Sequence, residues 1–105
     1  MVLLRGSRIL HVMYPRVLDK IRTLVTQGEY ILSIHAENEM ADDRLTEQDL
    51  EAAILNGRIA RRERDRIGRA KYVVEGAALD GRGMTAVAQF FQTRQLVVII
   101  TAYET

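Results

Sequence analysis

A chain of 105 residues without cysteine has room for one domain, and it excludes a disulfide scaffold, a thiolate nucleophile and a cysteine-based zinc site. Apolar residues at 48% and charged residues at 28% are the balance of a soluble globular protein, and the longest apolar run, 96–100, is far too short to span a membrane. The formal net charge of +1 conceals a division: residues 29–53 hold eight acids against Arg44, while residues 58–71 hold seven bases against Glu63 and Asp65. Net charge alone would not suggest nucleic acid, but a local basic stripe does.

Residues 1–12 carry Leu3, Leu4, Ile9 and Leu10 broken by arginines, unlike the continuous apolar stretch of a signal peptide. Met13-Tyr14-Pro15 reads as an alternative start. That reading makes 1–12 an upstream extension and 13–105 a single α+β domain. Pro15 suits the first turn of a helix, and Val17, Leu18, Ile21, Leu24 and Val25 recur at helical spacing up to Gln27, with Gly28 as the stop. Residues 30–34 are β-rich and short, either a strand or an extended lead-in. Ser33 caps a helix predicted over 34–43. In it, His35, Glu39 and Asp43 stand at steps of four on one face. Thr46-Glu47-Gln48-Asp49 forms a capping box with Asp in place of Glu. Leu50, Ala53 and Ile54 supply the apolar stripe of the helix that follows, and Asn56-Gly57 ends it.

After Gly57 the period changes to two. Ile59 among arginines reads as an edge strand whose charges deter further pairing. Residues 66–69 turn, 70–79 form a second strand, and Asp80-Gly81 signals a hairpin into a third strand at 84–92. The last strand, 96–103, is apolar on both faces and therefore central. Helices followed by strands give an α+β fold: N-terminal helices packed on a small antiparallel sheet of about four strands.

His35 is the candidate general acid or base, with Glu39 one turn away to orient it, since histidine changes charge near neutral pH. The plainer reading is a helix-start histidine bonded to a neighbouring backbone group. Arg61, Arg62, Arg64 and Arg82 are candidate phosphate contacts, because guanidinium forks match phosphate oxygens. On one strand, Arg62 and Arg64 share a face and Arg61 points the other way. Lys71 extends the basic stripe, and Tyr103, at a strand end, can offer its hydroxyl to a site. Glu39 and Asp43 are candidates for binding a partner's arginine, against the alternative of a solvated helix face. No metal and no cofactor is expected: the two histidines are His11 and His35, and no third ligand stands at a telling spacing. Gly76, Gly81 and Gly83 are bends and not a phosphate loop, because no helix follows them.

The order of Ser33-Ile34-His35-Ala36, Glu39-Met40, Leu45-Thr46, Asn56-Gly57, Tyr72-Val73-Val74-Glu75-Gly76, Asp80-Gly81-Arg82 and Ile99-Ile100-Thr101-Ala102-Tyr103-Glu104 resembles the domain of unknown function 4258 family. That family is similar to the RelE and BrnT toxins, with helices on a small antiparallel sheet. The resemblance implies the toxin of a type II toxin–antitoxin pair, a cytoplasmic, metal-independent endoribonuclease acting on free or ribosome-bound RNA. It also implies a cognate antitoxin as partner, in some members of a zinc-finger type. His35 would then be the acid or base, Arg64 and Arg82 the phosphate clamp, Tyr103 a positioning hydroxyl, and Arg61, Arg62 and Lys71 further RNA contacts. One departure stands out: many members carry an arginine near Glu39 or Asp43, where an acid repels an RNA backbone, and Arg44 next door compensates in part. The alternative reading is a non-catalytic module that binds a protein partner through its acidic helices.

Overall fold

The computed structural model describes residues 15–105. The proposed extension 1–12, His11 and the Met13 start lie outside them. Among the described residues, three helices, α1 (Pro15–Thr26), α2 (Ile34–Asp42) and α3 (Glu47–Asn56), accompany five strands. The strands are β1 (Tyr30–Leu32), β2 (Arg58–Arg64), β3 (Ala70–Ala77), β4 (Gly83–Phe91) and β5 (Leu96–Glu104). Among the described residues no helix is long and apolar enough to cross a membrane.

Each helix begins and ends where local chemistry dictates. Gly28, at φ 77°, ends α1 in a conformation that side chains other than glycine's resist. The Ser33 hydroxyl accepts the Ala36 amide and caps α2. Thr46 and Asp49 exchange hydrogen bonds in the predicted capping box of α3. Asp49 does more: its other oxygen accepts the Leu79 amide, which ties the β3–β4 turn to the helix start. The Thr46 and Leu79 amides hold this buried carboxyl below its ordinary range. Arg22 of α1 donates to the carbonyls of Ile54 and Gly57 at the C-terminal end of α3, where a cation is favoured.

The sheet order is β1-β5-β4-β3-β2. The sequence leaves 30–34 open between strand and lead-in; in the structure Tyr30–Leu32 is a strand and pairs parallel with Val97, Val98 and Ile99. The sheet therefore has five strands, not four, and is mixed, not wholly antiparallel. Three residues are too few to show a period, and their partner lies at the far end of the chain. The one-sided core follows from alternation along the strands. Val74, Ala86, Ala88, Val97 and Ile99 join Ile21, Leu24, Val25, Met40, Leu50 and Ile54 in one buried cluster. The intervening residues Val73, Val87, Gln89 and Val98 take the opposite face.

One contact between helix and sheet admits no side chain. A Cβ on Gly76 would run into the Ala53 carbonyl, so α3 lies directly on the β3 backbone. There the Asn56 side chain accepts from the Ala77 amide and donates to the Ala77 carbonyl, continuing the ladder that β2 begins two residues later.

Candidate nucleic-acid interface

β1 covers β5 only as far as Ile99. Beyond that point the outward peptide groups of β5 would be unpaired, and α2 takes over. The Ser33 amide donates to the Ile99 carbonyl at 2.9 Å, and the Ser33 hydroxyl donates to the Ile100 carbonyl at 2.7 Å. Glu39 Oε1 accepts the Ala102 amide at 3.0 Å and the Thr101 hydroxyl at 2.6 Å. Asp43 Oδ2 accepts the Glu104 amide at 2.8 Å. The fit is geometric. Four helical residues rise about 6 Å, close to the roughly 6.6 Å covered by two strand residues. Carboxylates at steps of four thus meet amides at steps of two. His35, one step earlier, places Nε2 3.4 Å from Glu39 Oε1, with its side chain 69% exposed.

The sequence grouped Glu39 and Asp43 as a partner surface; the structure turns both toward the β5 backbone. Arg82 is likewise engaged from within. Its Nε donates to Asp80, its Nη1 to the Asp43 carbonyl and Glu104, and its Nη2 to the Arg44 carbonyl. Arg44 sits at φ 55°, a left-handed conformation unusual for a side chain of its size. Arg82 therefore joins the β3–β4 turn, the α2–α3 loop and the end of β5. The partnered carboxylates of Asp80 and Glu104 stabilise its charge.

The other edge of the sheet is basic. Arg61 pairs with Glu63 at 2.7 Å on β2, and Arg58 reaches Glu75 at 3.6 Å. Arg64 donates to the Gly68 carbonyl at the hairpin turn. Arg62, Arg66 and Lys71 make no ion pair among the described residues. The register sorts these residues by face. Arg62 is opposite Tyr72, and Arg64 opposite Ala70, on the helix-facing side. Arg61, opposite Val73, and Lys71, opposite Glu63, lie on the open face, as the alternation in the sequence predicts. Tyr103, opposite Thr85, is on that open face too, and its hydroxyl lies within electrostatic reach of Arg61.

The structure therefore divides the predicted set. Arg61, Lys71 and Tyr103 share the open face, and His35 stands at its β5 rim, linked to that face through Glu39 and Thr101. Arg62 and Arg64 flank the β2 edge, and Arg82 is bonded beneath the α2–α3 loop. Sequence reasoning missed a groove of about 530 Å³ at one end of the open face, floored by Ile31, Phe91, Leu96 and Val98 and rimmed by Arg69 and Arg94. Arg69 lies 5.5 Å from the centre of the Phe91 ring and pairs with Asp65, which in turn accepts the Gln89 amide. The adjacent pair Phe90-Phe91 was the available signal: on a strand, only one of two neighbours can enter the helix-side core.

Comparison with known proteins adds a family. The model of one family, described as "Domain of unknown function (DUF4258)", matches residues 32–104, from the end of β1 through β5. No curated protein and no solved structure matches the chain.

Proposed function

Because the chain belongs to the domain of unknown function 4258 family, a membership that fixes no activity, we propose from the site itself that it is an endoribonuclease. In this reading it acts without a metal, as the toxin of a type II toxin–antitoxin pair of RelE or BrnT kind, and a cognate antitoxin is its partner. The observation that carries the proposal is the exposed His35 imidazole beside a carboxylate that is itself fixed by Thr101 and Ala102. A base oriented by a third group is the arrangement that proton transfer to or from a hydroxyl needs.

RNA lies across the open face, from the basic β2–β3 hairpin to the β5 rim, a span of three strand spacings or roughly 14 Å. Arg61 and Lys71 hold phosphate oxygens, and Tyr103 positions the sugar–phosphate at the reacting end. His35 accepts the proton of a 2′-hydroxyl as that oxygen bonds to the adjacent phosphorus. The bond from phosphorus to the 5′-oxygen breaks and that oxygen takes a proton from solvent water, leaving a 2′,3′-cyclic phosphate and a 5′-hydroxyl. Arg82 acts at a distance, by holding the α2–α3 loop and the end of β5.

The alternative, a non-catalytic module that docks a partner on its acidic helices, draws on Glu47 and Glu51. Both carboxylates converge on the single hydroxyl proton of Tyr30, which leaves acceptor capacity to spare. Labelled RNA incubated with purified protein in excess chelator separates the readings. The ribonuclease reading expects cleavage to 2′,3′-cyclic ends by the wild type and its loss in His35→Ala, with the fold intact by circular dichroism. Cleavage that persists in His35→Ala removes the residue from the mechanism. Absence of cleavage by the wild type on both free and ribosome-bound RNA favours the module.

A further inference from the structure

We infer that the free edge of β2 takes up an acidic, extended segment of a partner protein as an additional strand. The inference begins with the phase of the β2–β3 ladder. The Asp65 amide donates to the Arg69 carbonyl at 2.9 Å at the base of the hairpin. Hydrogen-bonded pairs recur every second residue in an antiparallel ladder. Glu63 with Lys71 and Arg61 with Val73 are therefore the bonded pairs, and the peptide groups of Arg62 and Arg64 point away from β3. Among the described residues no loop or turn backbone meets those outward groups.

The sheet's two edges differ in this respect. At β5 the equivalent groups receive Ser33, Glu39 and Asp43. At β2 they receive nothing from the described residues, yet arginine side chains stand on both sides of the strand. A second copy of this edge would bring arginines against arginines, and the register shift at Ala60 further breaks any match between two such edges. Charge complementarity thus selects an acidic strand. Its pattern follows from alternation: two acids spaced by one residue face Arg62 and Arg64 on the helix side, where the two strands exchange backbone hydrogen bonds. Recognition by strand addition combines such backbone bonds with side-chain choice at alternate positions. The inference is independent of the ribonuclease reading, because none of its observations involves His35 or the open face.

The test uses the full chain, isotope-labelled, with a short blocked peptide that alternates glutamate and threonine. Two controls carry lysine in place of glutamate, or N-methyl groups on alternate backbone nitrogens. The acidic peptide is expected to slow amide exchange at Arg62 and Arg64 by about tenfold or more. Both controls are expected to bind at least about tenfold more weakly, and R62E/R64E to reverse the preference toward the lysine peptide. The inference is overturned if the peptide leaves both amides unprotected, or if the N-methylated peptide binds equally well, which would reduce the contact to charge alone. It is also overturned if an oligoribonucleotide perturbs these residues and the peptide does not.

Discussion

At the β5 edge of the sheet, carboxylates from α2 meet the strand's outward amides, and Arg82 fastens the loop that follows. At the β2 edge a strand of seven residues carries four arginines and no such cover among the described residues. Both edges present the same physical problem, because unpaired peptide groups invite other chains. One is closed by charged groups turned inward, the other is guarded by charged groups turned outward. The lesson is that a charge count does not locate a binding surface. The acids at Glu39 and Asp43 bond to the β5 backbone, while of the β2 arginines Arg58 and Arg61 pair with Glu75 and Glu63, Arg64 bonds to the Gly68 carbonyl, and Arg62 makes no ion pair among the described residues.

That comparison can be broken most forcefully at Arg82. Arg82→Ala severs hydrogen bonds to Asp80, Asp43, Arg44 and Glu104, and should cost about 2–4 kcal/mol in chemical denaturation. Unchanged stability with weakened RNA binding would return Arg82 to the phosphate clamp that the sequence suggested. Glu39→Ala comes next. It leaves the buried Ala102 amide and the half-buried Thr101 hydroxyl without their acceptor, at about 1–3 kcal/mol. Faster hydrogen exchange at Ala102, together with a smaller loss in Glu39→Gln, would place the effect at the edge. The smallest effect on stability belongs to Arg62→Ala and Arg64→Ala, within about 0.5 kcal/mol each. Lys71→Ala, on the open face, should instead flatten the salt dependence of RNA binding, by about one unit of log–log slope for the phosphate contact removed. A loss of more than about 1 kcal/mol in Arg62→Ala or Arg64→Ala would make β2 a structural edge like β5.

Much of the fold is legible in the residues themselves. Ser33, Thr46 with Asp49, and Asp80-Gly81 act through bonds to near neighbours, so their positions carry their meaning. The spacing of His35, Glu39 and Asp43 correctly puts three side chains on one helical face. What that face meets is a backbone some sixty residues later, and a backbone amide leaves no mark on the sequence. β1 is obscure for the same reason, being three residues long with its partner strand at the far end of the chain. Arg82 reads as a surface cation because two of its four acceptors are carbonyls, which any residue type supplies. The Arg69–Phe91 stack and the groove beside it depend on the β2–β3 turn folding back over β4, which residue pattern alone does not encode.

The most direct measurement titrates isotope-labelled protein with a short RNA carrying 2′-O-methyl groups throughout, so that no 2′-hydroxyl can attack and binding is seen alone. The account predicts shifts along the β2–β3 hairpin and at Tyr103 and His35, while the side-chain signal of Arg82 stays in place. Shifts confined to α2 and α3, or none at saturating RNA, would contradict it.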